Sequence, residues 1–137
     1  MKSPKDIRHR ARMKLVETLY AELMNPQTQP LEEDNIKYDK KLFEQIYSLF
    51  KIHLIEIDKL IEKESKREIK DIKNMDHVIL GICFAESYFS RITPYKVAID
   101  EAIELSREYS DEKSAIFLSG VLGSAFDNNY KNNLDGK

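Results

Sequence analysis

The sequence predicts an all-helical protein, and three observations carry that expectation. Gly and Pro together number eight in 137 residues, about half the usual frequency, so few positions suit tight turns. The β-branched residues are fifteen Ile but only four Val and three Thr, without the general enrichment that marks strands. Apolar residues recur at steps of three and four through most of the chain, the period of one helical face. A chain of 137 residues has room for one core of ordinary size, so a single domain over 1–137 is expected.

The first helix opens on Ser3-Pro4-Lys5-Asp6: a capping residue, a proline at the first helical position and an acid that complements the helix dipole. Ile7, Ala11, Leu15, Leu19 and Leu23 recur every fourth residue, with Val16 and Tyr20 widening the stripe, and Asn25-Pro26 ends the helix. Lys5, Arg8 and Arg12 are spaced three and four apart and are expected to form one basic ridge on the opposite side, flanked by Arg10 and Lys14. A polar loop from about Asn25 to Tyr38 follows.

Asp39 then caps a long helix whose seam is Phe43, Ile46, Phe50, His53, Ile57 and Leu60, which suits a core helix of a bundle better than a coiled coil because the pattern is short and wide. The charged stretch Lys63 to Asn74, with Ile69 and Ile72, reads as a short helix or connector. A helix from Asp76 to about Ser90 is apolar nearly all round and should be central. Thr93-Pro94 repeats the signature of a cap followed by proline, and Ser110-Asp111-Glu112 opens the last helix. The segment 127–137 is Asn-rich and expected to fray.

The net charge of −2 conceals an asymmetry. Residues 1–14 hold Lys2, Lys5, Arg8, Arg10, Arg12 and Lys14 against Asp6, a local +5, so the remaining 123 residues carry −7. Such a division suggests a basic helix presented to a polyanion. One cysteine, Cys83, excludes an internal disulfide, and no apolar run spans a bilayer. With no apolar secretory segment at the N-terminus, a cytoplasmic protein is expected.

Motifs for chemistry are lacking. His9, His53 and His77 fall in separate elements without a metal-ligand spacing, and Cys83 sits in the most apolar helix, where a core thiol is expected. No phosphate-binding glycine loop or nucleophile elbow is present. Gly120-Val121-Leu122-Gly123 lies inside a helical stripe, where close helix packing accounts for it. No enzyme, no catalytic residue, no metal and no cofactor are expected.

Two stretches carry a family resemblance. Pro94-Tyr95-Lys96-Val97-Ala98-Ile99-Asp100-Glu101-Ala102-Ile103-Glu104-Leu105, followed by Ser110-Asp111-Glu112-Lys113-Ser114 and Phe117-Leu118-Ser119-Gly120-Val121-Leu122, closely resembles the bacterial NusB family of transcription antitermination factors. Arg8-His9-Arg10-Ala11-Arg12 with Leu19-Tyr20 fits that family's basic first helix, and Val78-Ile79-Leu80 with Glu86 its central one. The resemblance runs from about residue 5 to 126.

It implies an all-α fold of two packed three-helix bundles and a protein without catalytic activity. It also implies binding of boxA-like single-stranded RNA in ribosomal RNA leader transcripts, together with the ribosomal protein NusE, within an RNA polymerase antitermination complex that supports ribosomal RNA transcription and maturation. By position, the RNA-binding candidates are Lys2, Lys5, Arg8, Arg10, Arg12 and Tyr20, with Lys113 and Phe117 on the last helix. The partner-binding candidates are Asp76 and Glu86. Cations that follow phosphates and aromatics that stack on bases are what single-stranded RNA requires. Tyr20 and Phe117 fit an apolar core stripe equally well, and Asp76 fits a helix cap.

The sequence departs from the family at Gly81, where an Arg is common, at Ala85, where an aromatic is common, and at Asp100, Ser119 and Gly123. The second half is thereby a poorer phosphate binder. This leaves open an interaction module that binds NusE or itself, as a homodimer, with weakened or lost boxA recognition.

Overall fold

The computed structural model describes residues 4–27 and 36–127. Among these residues the helical elements are six α-helices and one 3-10 turn: α1 Pro4–Met24, α2 Lys40–Ile52, α3 Leu54–Ser65, the 3-10 turn Ile69–Asp71, α4 Asn74–Ser87, α5 Tyr95–Tyr109 and α6 Glu112–Ala125. Among the described residues there is no strand. Lys2, Ser3 and 128–137 lie outside the described residues, as does the side chain of Lys5.

Two of the expected caps are in place. Asp39 accepts from the backbone N–H of Leu42 at 3.0 Å, and Asp111 from that of Ser114 at 2.8 Å. Thr93 is not a cap: α5 starts without a side-chain bond, and the Thr93 hydroxyl is turned inward instead. α4 starts two residues before Asp76, with Lys73 at the cap position, so Asp76 does not cap either.

The long helix expected after Asp39 is two. It breaks at His53, which ends α2 with φ −101° and ψ 17°. The break lets α2 pack on α1 and α4 while α3 turns to pack on α4 and α6. His53 holds the corner, stacked on Phe89 with ring centroids 4.9 Å apart and Nδ1 3.0 Å from Glu56 Oε2. Beyond α3, Lys66 adopts the left-handed conformation with φ 58°, reversing the chain into the connector, which Ile72 anchors in the core.

α4 is the axis, packed by all five other helices. Every residue from Asp76 to Ser87 is buried, as its all-round apolar composition predicts. Cys83 is a core thiol, fully buried, and burial pushes its pKa up. Phe84, Tyr88 and Phe126 meet edge-on or tilted at 5.5–5.9 Å, with Tyr95 stacked on Phe126. At the other end, Glu22 of α1 accepts from Tyr47 Oη at 2.7 Å and Lys51 Nζ at 2.6 Å, and the bond to Glu22 pushes the Tyr47 hydroxyl up to about 12.

Gly81 answers to packing. A Cβ built there would overlap the ring of Phe50, which α2 lays across α4 at that point. The Arg common in the family at this position therefore has no room. We expect Gly81→Ala to cost about 1–3 kcal/mol of stability, with Phe50→Leu in the same chain recovering part of it. Urea denaturation of the single and double variants checks this, and a neutral Gly81→Ala would refute the packing role. Gly120 and Gly123 are the reverse: a Cβ at either meets nothing within 4 Å, so close helix packing does not explain them.

Candidate nucleic-acid interface

The cations of α1 are divided between two faces. Arg12 stands three residues before Leu15 and four before Val16, both fully buried, so the helical period turns it inward. It is 3% exposed. Its Nε and Nη2 donate to Glu86 at 3.0 and 2.8 Å, and Nη1 donates to Glu101 Oε1 at 3.0 Å. Thr93 Oγ1 donates to the same Glu86 carboxylate at 2.6 Å. Helices α1, α4 and α5 are thus joined around one guanidinium. Burial works against its charge, but Glu86 and Glu101 outweigh this and raise the Arg12 pKa.

His9 extends the network outward. Nδ1 lies 3.1 Å from Glu101 Oε1 and Nε2 lies 2.8 Å from Glu108 Oε1. A neutral ring can donate only once, so two carboxylates favour the imidazolium. Burial opposes that charge, yet the two glutamates prevail and hold His9 above its ordinary 6.5. Ligand atoms of His9, Glu104 and Glu108 come within 4.8 Å of one another, but both His9 nitrogens already face carboxylates, and the group reads as part of the tie between α1 and α5. Tyr109 Oη donates to Glu17 at 2.6 Å and reinforces that tie.

Three expected contact residues are therefore corrected. Arg12 is not on a solvent ridge with Arg8; it lies on the buried stripe and is committed to Glu86 and Glu101. Glu86, expected to face a partner, is 1% exposed and is the carboxylate that neutralises Arg12. Asp76, expected beside it, is 4% exposed at the start of α4, and its Oδ1 has no hydrogen-bond partner among the described residues. Burial raises the Asp76 pKa, with Ser114, Lys73 and Arg67 pulling the other way.

The remaining candidates are accessible to different degrees. Arg8 is exposed on the first turns of α1. Arg10, half-buried, reaches the Lys37 carbonyl at 3.4 Å, and Lys14 Nζ lies 4.9 Å from the Tyr38 ring centroid. Tyr20 is half-buried against the core. On α6, Lys113 is exposed, and Phe117 is half-buried with the Arg67 guanidinium carbon 4.7 Å from its ring centroid. The Tyr109–Glu17 bond brings the middle of α1 beside the end of α5, two residues before the cap of α6. Of the other departures, Ala85 is buried, Asp100 and Ser119 are exposed, and Gly123 is half-buried.

Sequence reasoning missed the part played by Glu101, His9 and Arg67. The one available signal was the register of Arg12 with Leu15 and Val16.

The family model described as NusB family matches residues 6–127. A transcription antitermination protein NusB from Finegoldia magna is 39% identical over 64% of this chain, and that match spans 65% of the relative, just under two thirds. Another, from Sodalis glossinidius, is 32% identical over 84% of this chain and 88% of the relative. The fold is similar to a chain in a crystal structure of the antitermination factors NusB and NusE in complex with dsRNA, with a TM-score of 0.71, 26% identity, and coverage of 87% of this chain and 96% of that one.

Proposed function

The chain belongs to the NusB family, and from that premise we propose that it is a transcription antitermination factor that binds boxA-type ribosomal leader RNA together with NusE. The match over residues 6–127, spanning all six helices, carries this reading. The protein works by assembly, within an RNA polymerase complex and without catalysis. Its place is the cytoplasm, where transcription runs; among the described residues no helix is long and apolar enough to cross a membrane. Residues 1–137 act as one domain.

The RNA surface is Arg8 and Arg10 on α1, with Tyr20, then Lys113 and Phe117 at the start of α6; Lys2 and Lys5 are further candidates from their place in the sequence alone. Phosphate contacts give affinity that falls with salt, and NusE adds a second surface that raises affinity and selectivity by effective concentration. Gly81 and the buried Arg12 remove two guanidinium groups from this surface, which favours a protein that depends on NusE for tight RNA binding.

Titrating boxA-type and scrambled RNA, single-stranded and duplex, with and without NusE at two salt concentrations tests the reading. Preference for boxA that grows with NusE supports it; equal, weak binding of all RNAs under both conditions would overturn it. Replacing Arg8 and Arg10 by Ala should weaken RNA binding about tenfold and lower the salt slope by about 2. Unchanged affinity and slope in the folded variant would remove α1 from the interface.

A further inference from the structure

We propose that His9, Glu104 and Glu108 form a binding site for one divalent transition-metal ion of the zinc class, held between α1 and α5. The inference does not rest on the RNA-binding reading. The donor set is one imidazole nitrogen and two carboxylates, and ligand atoms of the three come within 4.8 Å of one another. Glu104 and Glu108 stand four residues apart on α5, so the helical period stacks them on one side. His9, on α1, closes the third corner, with Nε2 2.8 Å from Glu108 Oε1. Glu104 is exposed and has no hydrogen bond or ion pair among the described residues.

The orientation of the His9 ring separates this group from an ordinary acidic patch. Metal-binding histidines give one nitrogen to the ion and the other N–H to a carboxylate behind them. His9 is placed in this way. Its Nδ1 lies 3.1 Å from Glu101 Oε1, and Glu101, outside the donor set and buried, is itself held from the core by Arg12 Nη1 at 3.0 Å. With the Nδ1 proton committed to Glu101, the neutral ring turns the lone pair of Nε2 towards Glu108. The ion takes the place that a second ring proton otherwise fills and releases that proton to solvent. Charge balance favours the exchange: Glu86 and Glu101 already set two negative charges against the one of Arg12, and Glu104 and Glu108 add two more. Zinc lies about 2.0–2.2 Å from nitrogen and oxygen ligands, which puts tetrahedral ligand atoms about 3.3 Å apart. The gap between His9 and Glu108 has to open by about half an ångström, the exposed Glu104 side chain swings in, and water completes the shell. An imidazole in the donor set selects zinc or nickel over magnesium.

Calorimetric titration of the tag-free protein with zinc chloride tests the site. One zinc per chain is expected, and the thermal midpoint should rise by about 10 °C at 100 times the dissociation constant. His9→Gln and Glu104→Gln should each weaken binding at least as much as the loss of an outer-shell partner does, about 10–100-fold. Glu104→Gln alters an exposed side chain outside the Arg12 network, so its circular dichroism and its midpoint without metal should match wild type. In nitrogen NMR spectra of the imidazoles, zinc should shift Nε2 of His9 and leave His53 and His77 unmoved. Wild-type protein that binds no zinc at millimolar concentration would overturn the proposal. So would wild-type affinity in either variant, a zinc-dependent shift at His53 or His77 in place of His9, or magnesium bound as tightly as zinc.

Discussion

Arg12→Ala is expected to destabilise the protein by about 3–5 kcal/mol, because it leaves a buried carboxylate without its counter-charge. Glu86 is 1% exposed and Glu101 is 7% exposed, so water cannot replace what the guanidinium supplies. Arg12→Lys should recover only part of the loss, since an ammonium cannot hold two carboxylates in the planar fork that Arg12 offers to Glu86 and Glu101. The double change Arg12→Met with Glu86→Leu should lie much closer to wild type than either single removal, because it takes away the charge and its partner together. Urea denaturation followed by circular dichroism measures these three variants and the two single removals against wild type. A loss below about 1 kcal/mol in Arg12→Ala would mean that the network is not buried as described. The consequence for function is practical: weak RNA binding by an Arg12 variant reports unfolding unless its stability is measured first.

Asp76→Lys is expected to cost about 2–4 kcal/mol, for it sets a longer cation in a buried site already facing Lys73 and Arg67. Asp76→Asn should do the opposite and raise stability at neutral pH, since it removes a buried carboxylate whose Oδ1 has no donor among the described residues. The sign follows from linkage. Burial raises the Asp76 pKa in the folded state, so its contribution is fully present below the unfolded value of 3.8 and is lost as pH rises through the folded value. Stability of wild type minus that of Asp76→Asn should therefore fall between acid and neutral pH. A flat difference would show that the carboxylate is better satisfied than the geometry indicates. NusE affinity separates the two possible roles: if Asp76→Asn, folded, keeps NusE binding, then a loss in Asp76→Lys is a folding effect.

The helices were legible in the sequence wherever a local rule decided them. Asp39 and Asp111 cap because a short acceptor precedes an apolar stripe, and α4 is central because no side of it is polar. The break at His53 was not legible, since the apolar spacing runs straight through it and only the separate demands of α4 and α6 bend the chain. Thr93 looked like a cap, but a buried carboxylate seven residues earlier claims its hydroxyl. The candidate surface was half legible. Counting cations identified α1, yet assigning them to a face needed Arg12 read against Leu15 and Val16. The partners of Arg12 lie 74 and 89 residues away, a separation at which no local pattern speaks. Glu86 stood out by resemblance and was placed on the surface, when the same residue is what makes a buried arginine tolerable.

Gly81 and Phe50 stand on different helices, 31 positions apart in the chain, and yet behave as one unit, because the ring of one fills the volume that a side chain on the other would take. In evolutionary terms they are a single character with two letters. A lineage exchanging this glycine for arginine must first shrink the residue opposite, so the order of the two changes is constrained. Along that path a guanidinium reaches the α4 surface only where the aromatic ring has been given up, so in this chain the position serves packing and is closed to any other use.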